Sequence, residues 1–365
     1  MIYDVSVSLI SPLHIGSGNV LLRSYDFRTV AYQTWVLDRD AILAEEYNRA
    51  ADGAPDWERL ALPPGQLVRD DELHDGSAFV RYALAGSTTV DQIREQIKDV
   101  YGHCYLPGSS LKGALRTALM SHAIRSSGFK PDLGQLGDRR EWAGQAWERA
   151  LFGADPNHDL LRALIIADSD PLPVSPSPLM LLNVQVFTGG QPGSPIVVEA
   201  VKPDTVFRTT LRVDDYLFSN ASRRLGFQDR RDWLEKLPQI VGSVSKARIE
   251  QEQTWYRGKS GFGAASSLYN ALSKASVGGS AFLIQMGWGV GWTGKSVAQW
   301  LPKSSQDYLR RRYKLGRPPK AERDWEPDLS RPFPRSRRLR ARRSHGQVVA
   351  DVPLGWALIE MKPRR

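Results

Sequence analysis

Two cationic side chains at the start of a predicted helix are the first candidates for chemistry, and the chemistry they suit is phosphate binding. Lys112 and Arg116 lie one helical turn apart, shortly after a Pro-Gly break. A helix start carries unpaired N–H groups and a partial positive charge, so nearby cations favour an anion there. Ser109 or Ser110 is the expected N-cap, and apolar residues at helical spacing from 111 to 122 predict one buried face. An amphipathic helix with two solvated cations is the alternative.

A glycine-rich stretch at residues 287–296, called the glycine segment below, offers a second phosphate contact. From residue 289 it matches the P-loop pattern GxxxxGKS. A nucleotide-binding P-loop needs a parallel sheet and a following helix, whereas this chain soon reaches proline. Bulky Trp288 and Trp292 would also crowd a triphosphate. ATP or GTP binding is therefore not the favoured interpretation.

The glycine segment favours RNA instead, because bare backbone N–H groups can approach phosphates closely and tryptophan can stack on bases. Lys295 would supply the counter-charge. The candidate RNA-facing residues are Gly287, Trp288, Gly289, Gly291 and Lys295. A tight glycine turn with core tryptophans is the alternative.

A shorter glycine loop, residues 11–18, follows the first predicted strand and is called the first loop below. Its candidate residues are His14, Gly16, Ser17 and Gly18. His14 could act as a general acid or base in RNA cleavage, or it could be a hydrogen-bonded structural residue. The single cysteine, Cys104, excludes an internal disulfide and a cysteine-built zinc site. No paired carboxylates or nucleophilic triad stand out, so we expect no catalytic residue, no metal and no cofactor.

The positive charge of the chain is concentrated in one segment. The formal net charge is +9, and residues 303–345 hold 15 Lys and Arg against 5 Asp and Glu, so the remainder is close to neutral. Such a segment favours nucleic acid through counterion release, although solvated charges on a loop are the alternative. Arg335, Arg337 and Arg338 could follow a phosphate backbone without reading bases.

The order of the predicted strands and helices that position these segments indicates an α+β fold, because strands and helices mix without regular βαβ alternation. Residues 2–10 alternate as a strand, residues 90–100 have helical periodicity, and a turn at 202–204 suggests a hairpin. Four prolines between residues 170 and 178 mark a linker. We expect domains at residues 1–170 and 181–365, joined by residues 171–180. With no apolar run of about 18 residues, we expect no membrane contact and a cytoplasmic location.

Together, the first loop, residues 105–119, the glycine segment and the motifs FPRSRRL at 333–339 and PLGW at 353–356 resemble the RAMP superfamily of CRISPR-associated proteins. The resemblance is closest to the fifth Csm subunit family of type III-A effector complexes. Counting the last two as one, these four motifs span almost the whole chain in the order found in the family. The density of arginines from 310 to 343 exceeds what the family motif requires.

The resemblance implies two ferredoxin-like, RRM-related domains with helical and loop insertions. It implies that the chain binds CRISPR RNA and caps the backbone filament at the 3′ side of the guide, in antiviral defence. The implied partners are the neighbouring RAMP backbone subunit and the small helical subunit, with target RNA contacted indirectly. No motif match transfers the target-cleaving aspartate of the backbone subunit, so the chain is expected not to be an enzyme. A RAMP-type endoribonuclease that processes precursor RNA with His14 is the alternative.

Overall fold

The computed structural model describes residues 1–49, 56–173, 177–275, 277–318, 321–322 and 324–364. The strands are β1 Ile2–Leu9, β2 Gly16–Leu22, β3 Phe27–Val30, β4 Gln33–Leu37, β5 Val80–Ala85, β6 Gln92–Gln96, β7 Leu164–Ile166, β8 Leu179–Thr188, β9 Gln191–Pro192, β10 Ile196–Val201, β11 Val206–Val213, β12 Ala281–Gln285, β13 Ser336–Ser344, β14 Gln347–Ala350 and β15 Trp356–Pro363. The helices are α1 Arg39–Asn48, α2 Trp57–Leu60, α3 Pro64–Leu67, α4 Gly108–Ser126, α5 Gln145–Phe152, α6 Arg231–Glu235, α7 Leu237–Tyr256, α8 Gly263–Lys274, α9 Gly291–Lys295 and α10 Lys303–Arg312.

The first sheet has the antiparallel order β12-β15-β1-β11-β7. Its elements follow the chain as β1, α4, β7, β11, α7, β12 and β15. Without the edge strand β12, this is the β-α-β-β-α-β order of the ferredoxin-like motif. Alternate residues of β1 are buried because one face of the sheet is covered by α4 and α7. Leu111 and Leu115 of α4 and Val241 of α7 join the same hydrophobic core as Val5 and Val7 of β1.

The second sheet has the order β2-β6-β10-β8-β5-β4-β3, and β8 also pairs with β9 and β13. The turn at residues 202–204 does not form the expected hairpin. β10 pairs with β8 and β6, whereas β11 pairs with β1 and β7, so the turn carries the chain from one sheet into the other. A turn sequence fixes a change of direction, and the pairing of the strands beyond it is decided by distant partners.

The α+β class is confirmed. Both sheets, however, take strands from both sides of the proline-rich linker, since β1 pairs with β11 and β15 while β5 pairs with β8. The division at residues 171–180 is therefore no division between the sheets, and the two-domain boundary stays a prediction. Residues 174–176 of that linker lie outside the described residues. No helix in the described part of the chain is both long and apolar enough to cross a bilayer.

Residues 90–100 were predicted to be helical, and this prediction is wrong. They contain β6, which pairs with β2 and β10. Ile93 and Ile97 are four residues apart and imitate a helical face, but in the structure Ile93 is buried while Arg94 on the opposite face is exposed. Pairing with two neighbouring strands overrides a local pattern this short.

Candidate nucleic-acid interface

A cleft of about 1110 Å³ brings together three of the four segments predicted to face RNA. We call it the first cleft. The first loop, the start of α4, the glycine segment, β2 and β6 each form part of its wall. Among the predicted residues, those on its wall are His14, Gly16, Gly18, Ser110, Gly287, Trp288 and Lys295.

Two cations, Arg94 and Arg338, lie against the Trp288 ring at one side of the first cleft. Together with Lys295, whose charge interacts with that of Arg338, they are called the cationic ridge. The guanidinium of Arg94 lies 5.2 Å from the Trp288 ring, and that of Arg338 lies 4.6 Å from it. Burial and Arg338 lower the pKa of Lys295, and burial and Arg94 lower that of Arg338. Within the described ranges, none of the three forms an ion pair. Cations that have no carboxylate partner repel one another, and a bound phosphate would relieve that repulsion.

The carboxylates on the wall of the first cleft do not neutralise the ridge. Asp91 lies 3.3 Å from the guanidinium of Arg23, and Glu95 lies 3.5 Å from the Lys98 ammonium. Glu95 also accepts hydrogen bonds from Ser17 Oγ at 2.9 Å and from the Asn19 side chain at 3.0 Å. Ser17 is therefore tied to β6 and does not present a free hydroxyl to a ligand.

His14 is buried in the wall, with 1% of its surface exposed. Its Nδ1 lies 2.6 Å from the backbone carbonyl of Glu199, so Nδ1 carries the proton. Desolvation by burial lowers the pKa of His14 to about 4, and the nearby Arg94 and Lys98 act in the same direction. The ring is therefore neutral at pH 7 and holds no proton that a general acid could transfer at Nε2.

A buried carboxylate lies beneath the first loop. Glu199 is fully buried and accepts hydrogen bonds from Lys98 Nζ at 2.6 Å, Tyr82 Oη at 2.7 Å and the Gln96 backbone N–H at 2.9 Å. Gln96 Oε1 in turn accepts from the Ile15 backbone N–H at 2.9 Å. This network fixes the first loop to β6 and β10.

The glycines of the glycine segment have different reasons to be glycine. Gly287 has φ +82°, and a Cβ there would lie 2.7 Å from the His14 carbonyl oxygen and 2.7 Å from Leu13 Cδ1. Gly291 has φ +72° with open space around it, while Gly289 packs close to Leu354. Gly287 thus permits the glycine segment to lie directly against the first loop, where the Trp288 backbone N–H donates to the His14 carbonyl at 2.8 Å.

The glycine segment is not a nucleotide-binding P-loop. The preceding strand, β12, is an antiparallel edge strand paired only with β15 among the described residues, whereas a P-loop follows a strand of a parallel sheet. The segment itself forms the five-residue helix α9. Ser296 Oγ accepts a hydrogen bond from the Ala298 backbone N–H rather than standing free as a metal ligand.

The start of α4 differs from the expected phosphate cradle. The N-cap is Pro107, so the predicted cap at Ser109 or Ser110 is wrong, and the Gly108 N–H donates to the Asp168 carboxylate at 2.8 Å. A carboxylate from the chain itself thus occupies part of the anion site. Ser109 is exposed and Ser110 is half-buried on the first cleft wall.

The two cations of α4 have unlike surroundings. Arg116 donates to Glu148 at 2.9 Å and to Asp159 at 2.7 Å, and its guanidinium lies 4.3 Å from the Phe152 ring. Lys112 is half-buried, and burial lowers its pKa. Two carboxylates already balance Arg116, so its assignment to RNA, like that of Lys112, stays a prediction.

The three predicted arginines around β13 also differ. Arg335 is exposed, and Arg338 belongs to the cationic ridge. Arg337 donates through Nε to the buried Glu252 carboxylate at 2.6 Å, and Glu252 also accepts from Thr293 Oγ1 at 3.2 Å. Arg337 therefore ties β13 to α7 and, through Glu252, to the glycine segment.

The sequence does not predict the position of Arg94 on the wall of the first cleft, because the periodicity of residues 90–100 predicts a helix there. The sequence gives no clear signal for this position, because Ile93 is the only apolar residue between Gln92 and Gln96 and no alternation marks the segment as a strand. Gln92 and Asn19, also unpredicted, line the first cleft nearby.

Comparison with known proteins gives concordant results. A family model described as RAMP superfamily matches residues 6–292. CRISPR system Cms protein Csm5 of Mycobacterium tuberculosis, from strains CDC 1551 / Oshkosh and ATCC 25618 / H37Rv, is 27% identical over 296 residues, covering 70% of this chain and 77% of the relative.

Two solved structures have a similar fold. A chain of the cryo-EM structure of a Csm-crRNA-target RNA ternary complex in a type III-A CRISPR-Cas system gives a TM-score of 0.70 at 24% identity, covering 98% of this chain and 100% of that one. The crystal structure of T. onnurineus Csm5 gives a TM-score of 0.64 at 23% identity, covering 96% and 99%.

Proposed function

Because the chain belongs to the RAMP superfamily, we propose that it is a subunit of a type III-A Csm ribonucleoprotein complex. In that complex it binds CRISPR RNA and caps the backbone filament at the 3′ side of the guide, in antiviral defence. The family model confirms the resemblance to the RAMP superfamily, and the Csm5 relatives and the similar structures support the narrower resemblance to the fifth Csm subunit family. The proposed site of action is the cytoplasm.

One observation carries the RNA-binding proposal: Arg94 and Arg338 lie against Trp288, Lys295 lies close enough to Arg338 for their charges to interact, and none of the three has a carboxylate partner within the described ranges. Phosphates would neutralise these cations, and the half-buried Trp288 supplies an aromatic surface. The first loop and glycine segment form one wall because Gly287 lets them touch. In the relatives' names, Csm5 is a component of a CRISPR system, and the similar structure comes from a complex with crRNA and target RNA.

The proposed partners follow from the same membership. They are CRISPR RNA, the neighbouring RAMP backbone subunit and the small helical subunit, with target RNA contacted indirectly. A second ferredoxin-like domain is proposed to lie within the second sheet. Family membership is its only support, since in the described chain only the first sheet has the element order of the motif.

We also propose that the subunit does not cleave RNA. The support is the state of His14, which is buried, neutral at pH 7 and hydrogen-bonded to a backbone carbonyl. Incubating the purified chain with precursor CRISPR RNA, with and without divalent metal, tests this. Metal-independent cleavage that disappears in His14→Ala would instead support the processing endoribonuclease.

The RNA-binding proposal is tested in the assembled complex. Lys295→Ala with Arg338→Ala should lower guide occupancy or shift guide length, because two phosphate contacts are lost. Lys246→Ala is the matched control, since Lys246 is an exposed lysine on α7 that does not line the first cleft. Guide RNA is extracted and sized after purification through another subunit. Unchanged occupancy and length in the double variant would contradict the proposal.

A further inference from the structure

A second cleft, of about 860 Å³, lies on the far side of the cationic ridge. α4, the region around α5, the glycine segment and the approach to β13 form its walls. Thr117 and Lys295 line both clefts. A polymer that crosses the ridge at Lys295 would therefore pass from the first cleft directly into the second.

The walls of the second cleft combine aromatic, apolar and cationic groups. Trp292 and Phe333 meet edge to face with ring centroids 5.0 Å apart, and both line the cleft. Met120, Leu136 and Leu309 provide an apolar floor. The charged lining residues are Arg116, Arg140, Lys295 and Arg338 against Glu141 and Glu148, and Glu148 is engaged by Arg116. The lining thus combines apolar and aromatic side chains with more cationic than acidic groups.

We propose that the second cleft binds unpaired bases of the RNA strand that leaves the first cleft over Lys295, with Trp292 as the stacking surface. This inference rests on the proposed RNA-binding function. Bases stack on aromatic rings irrespective of sequence, while phosphates remain outside on cations. The volume is in the range of pockets that enclose small organic ligands.

RNA fits this surface better than an apolar protein segment does. Arg338 lines the second cleft, and its Nε is a buried donor that lacks a hydrogen-bond partner in the described structure. An apolar segment would cover the floor but leave Arg338 and Lys295 buried without an acceptor, which is costly. A nucleotide brings a flat ring for the aromatic and apolar side chains and a phosphate for the cations, so it satisfies both.

The test uses the assembled complex and guide RNA with one 2-aminopurine at successive positions. We expect a short window of positions whose fluorescence is quenched in the wild type. Quenching should be lost in Trp292→Ala and retained in Trp292→Phe and in Trp57→Ala, an exposed tryptophan of α2 outside the cleft. RNA truncated through that window should lose about 5- to 150-fold in affinity for each stacked base removed.

A second measurement needs no substitution, which matters because Trp292 also packs against the core. Guide RNA carrying 4-thiouridine at the quenched positions is cross-linked to the wild-type complex. Cross-links to Trp292 or Phe333 support the inference. Cross-links confined to the first cleft, or a window that is quenched equally in Trp292→Ala, overturn it. If the Lys295→Ala, Arg338→Ala double variant also leaves RNA occupancy unchanged, the proposed RNA-binding function itself fails. The failure of that function is thus distinguishable from the failure of base binding in the second cleft.

Discussion

Replacing Glu199 by glutamine should destabilise the fold severely, because it leaves Lys98 buried without its nearest carboxylate. Glu199 is fully buried, the Lys98 side chain is 5% exposed, and their charged atoms lie 2.6 Å apart. Removing one partner of a buried ion pair costs about 3–5 kcal/mol, since the remaining charge keeps its desolvation penalty. Glu95, 3.5 Å from the Lys98 ammonium, remains as a weaker partner, so we expect a loss near the lower end, about 3 kcal/mol.

Guanidinium unfolding of the full chain at pH 7 measures this loss. Glu360→Gln is the matched control, because Glu360 is an exposed carboxylate and its removal should change the free energy of unfolding by no more than about 0.5 kcal/mol. Combining Glu199→Gln with Lys98→Met removes both charges and should recover a substantial part of the loss. A loss below about 1 kcal/mol in Glu199→Gln, or strictly additive effects in the double variant, would refute the reasoning.

Three further predictions concern the same region. Gly287→Ala should lower the free energy of unfolding by at least about 3 kcal/mol, because strain at positive φ adds to a clash with the first loop. Gly291→Ala is strained but not crowded and should lower it by about 1–2 kcal/mol. Urea unfolding of the two variants distinguishes these losses. His14 is neutral when folded, with a pKa of about 4 against 6.5 when unfolded, so its stabilising effect is complete above pH 6.5 and declines by roughly 3 kcal/mol towards pH 4. His14→Asn keeps a donor for the Glu199 carbonyl and should lose that part of the pH dependence; an unchanged dependence would contradict the burial argument. Arg116→Ala should lower the free energy of unfolding by about 1 kcal/mol. It should leave the salt dependence of RNA affinity unchanged, since two carboxylates already balance this half-exposed group. Lys295→Ala, by contrast, should reduce the slope of log affinity against log salt by about 0.7. Filter binding measures both slopes of log affinity against log salt. Equal slopes for the two variants would contradict the argument that pairing with two carboxylates keeps Arg116 from binding RNA.

The sequence predicted the strands and helices that bury one regular face. Residues 2–10 alternate cleanly and form β1, and the apolar spacing of residues 111–122 matches the buried face of α4. The family resemblance also followed from short segments, because each combines glycine or cations with an element end. These features are local, so one stretch of chain is enough to reveal them.

The features that the sequence did not predict depend on contacts between residues far apart in the chain. β6 was mistaken for a helix because its strand character comes from pairing with β2 and β10. Arg116 looked free because Glu148 and Asp159 lie 32 and 43 residues further along the chain. Arg94 reaches Trp288 only through that unpredicted strand. Periodicity cannot report such encounters, since they are set by the packing of whole elements.

The position of β1 has a consequence for synthesis of the protein. β1 lies near the start of the sequence and pairs on one side with β11 and on the other with β15, which lies near the end of the sequence. While the ribosome is still translating residues before 356, one edge of β1 has no partner, and such an edge invites pairing with other chains. Contacts this distant along the chain also close slowly. A nascent chain should therefore need chaperone protection until its last strand emerges, and prematurely terminated chains should aggregate rather than enter a complex.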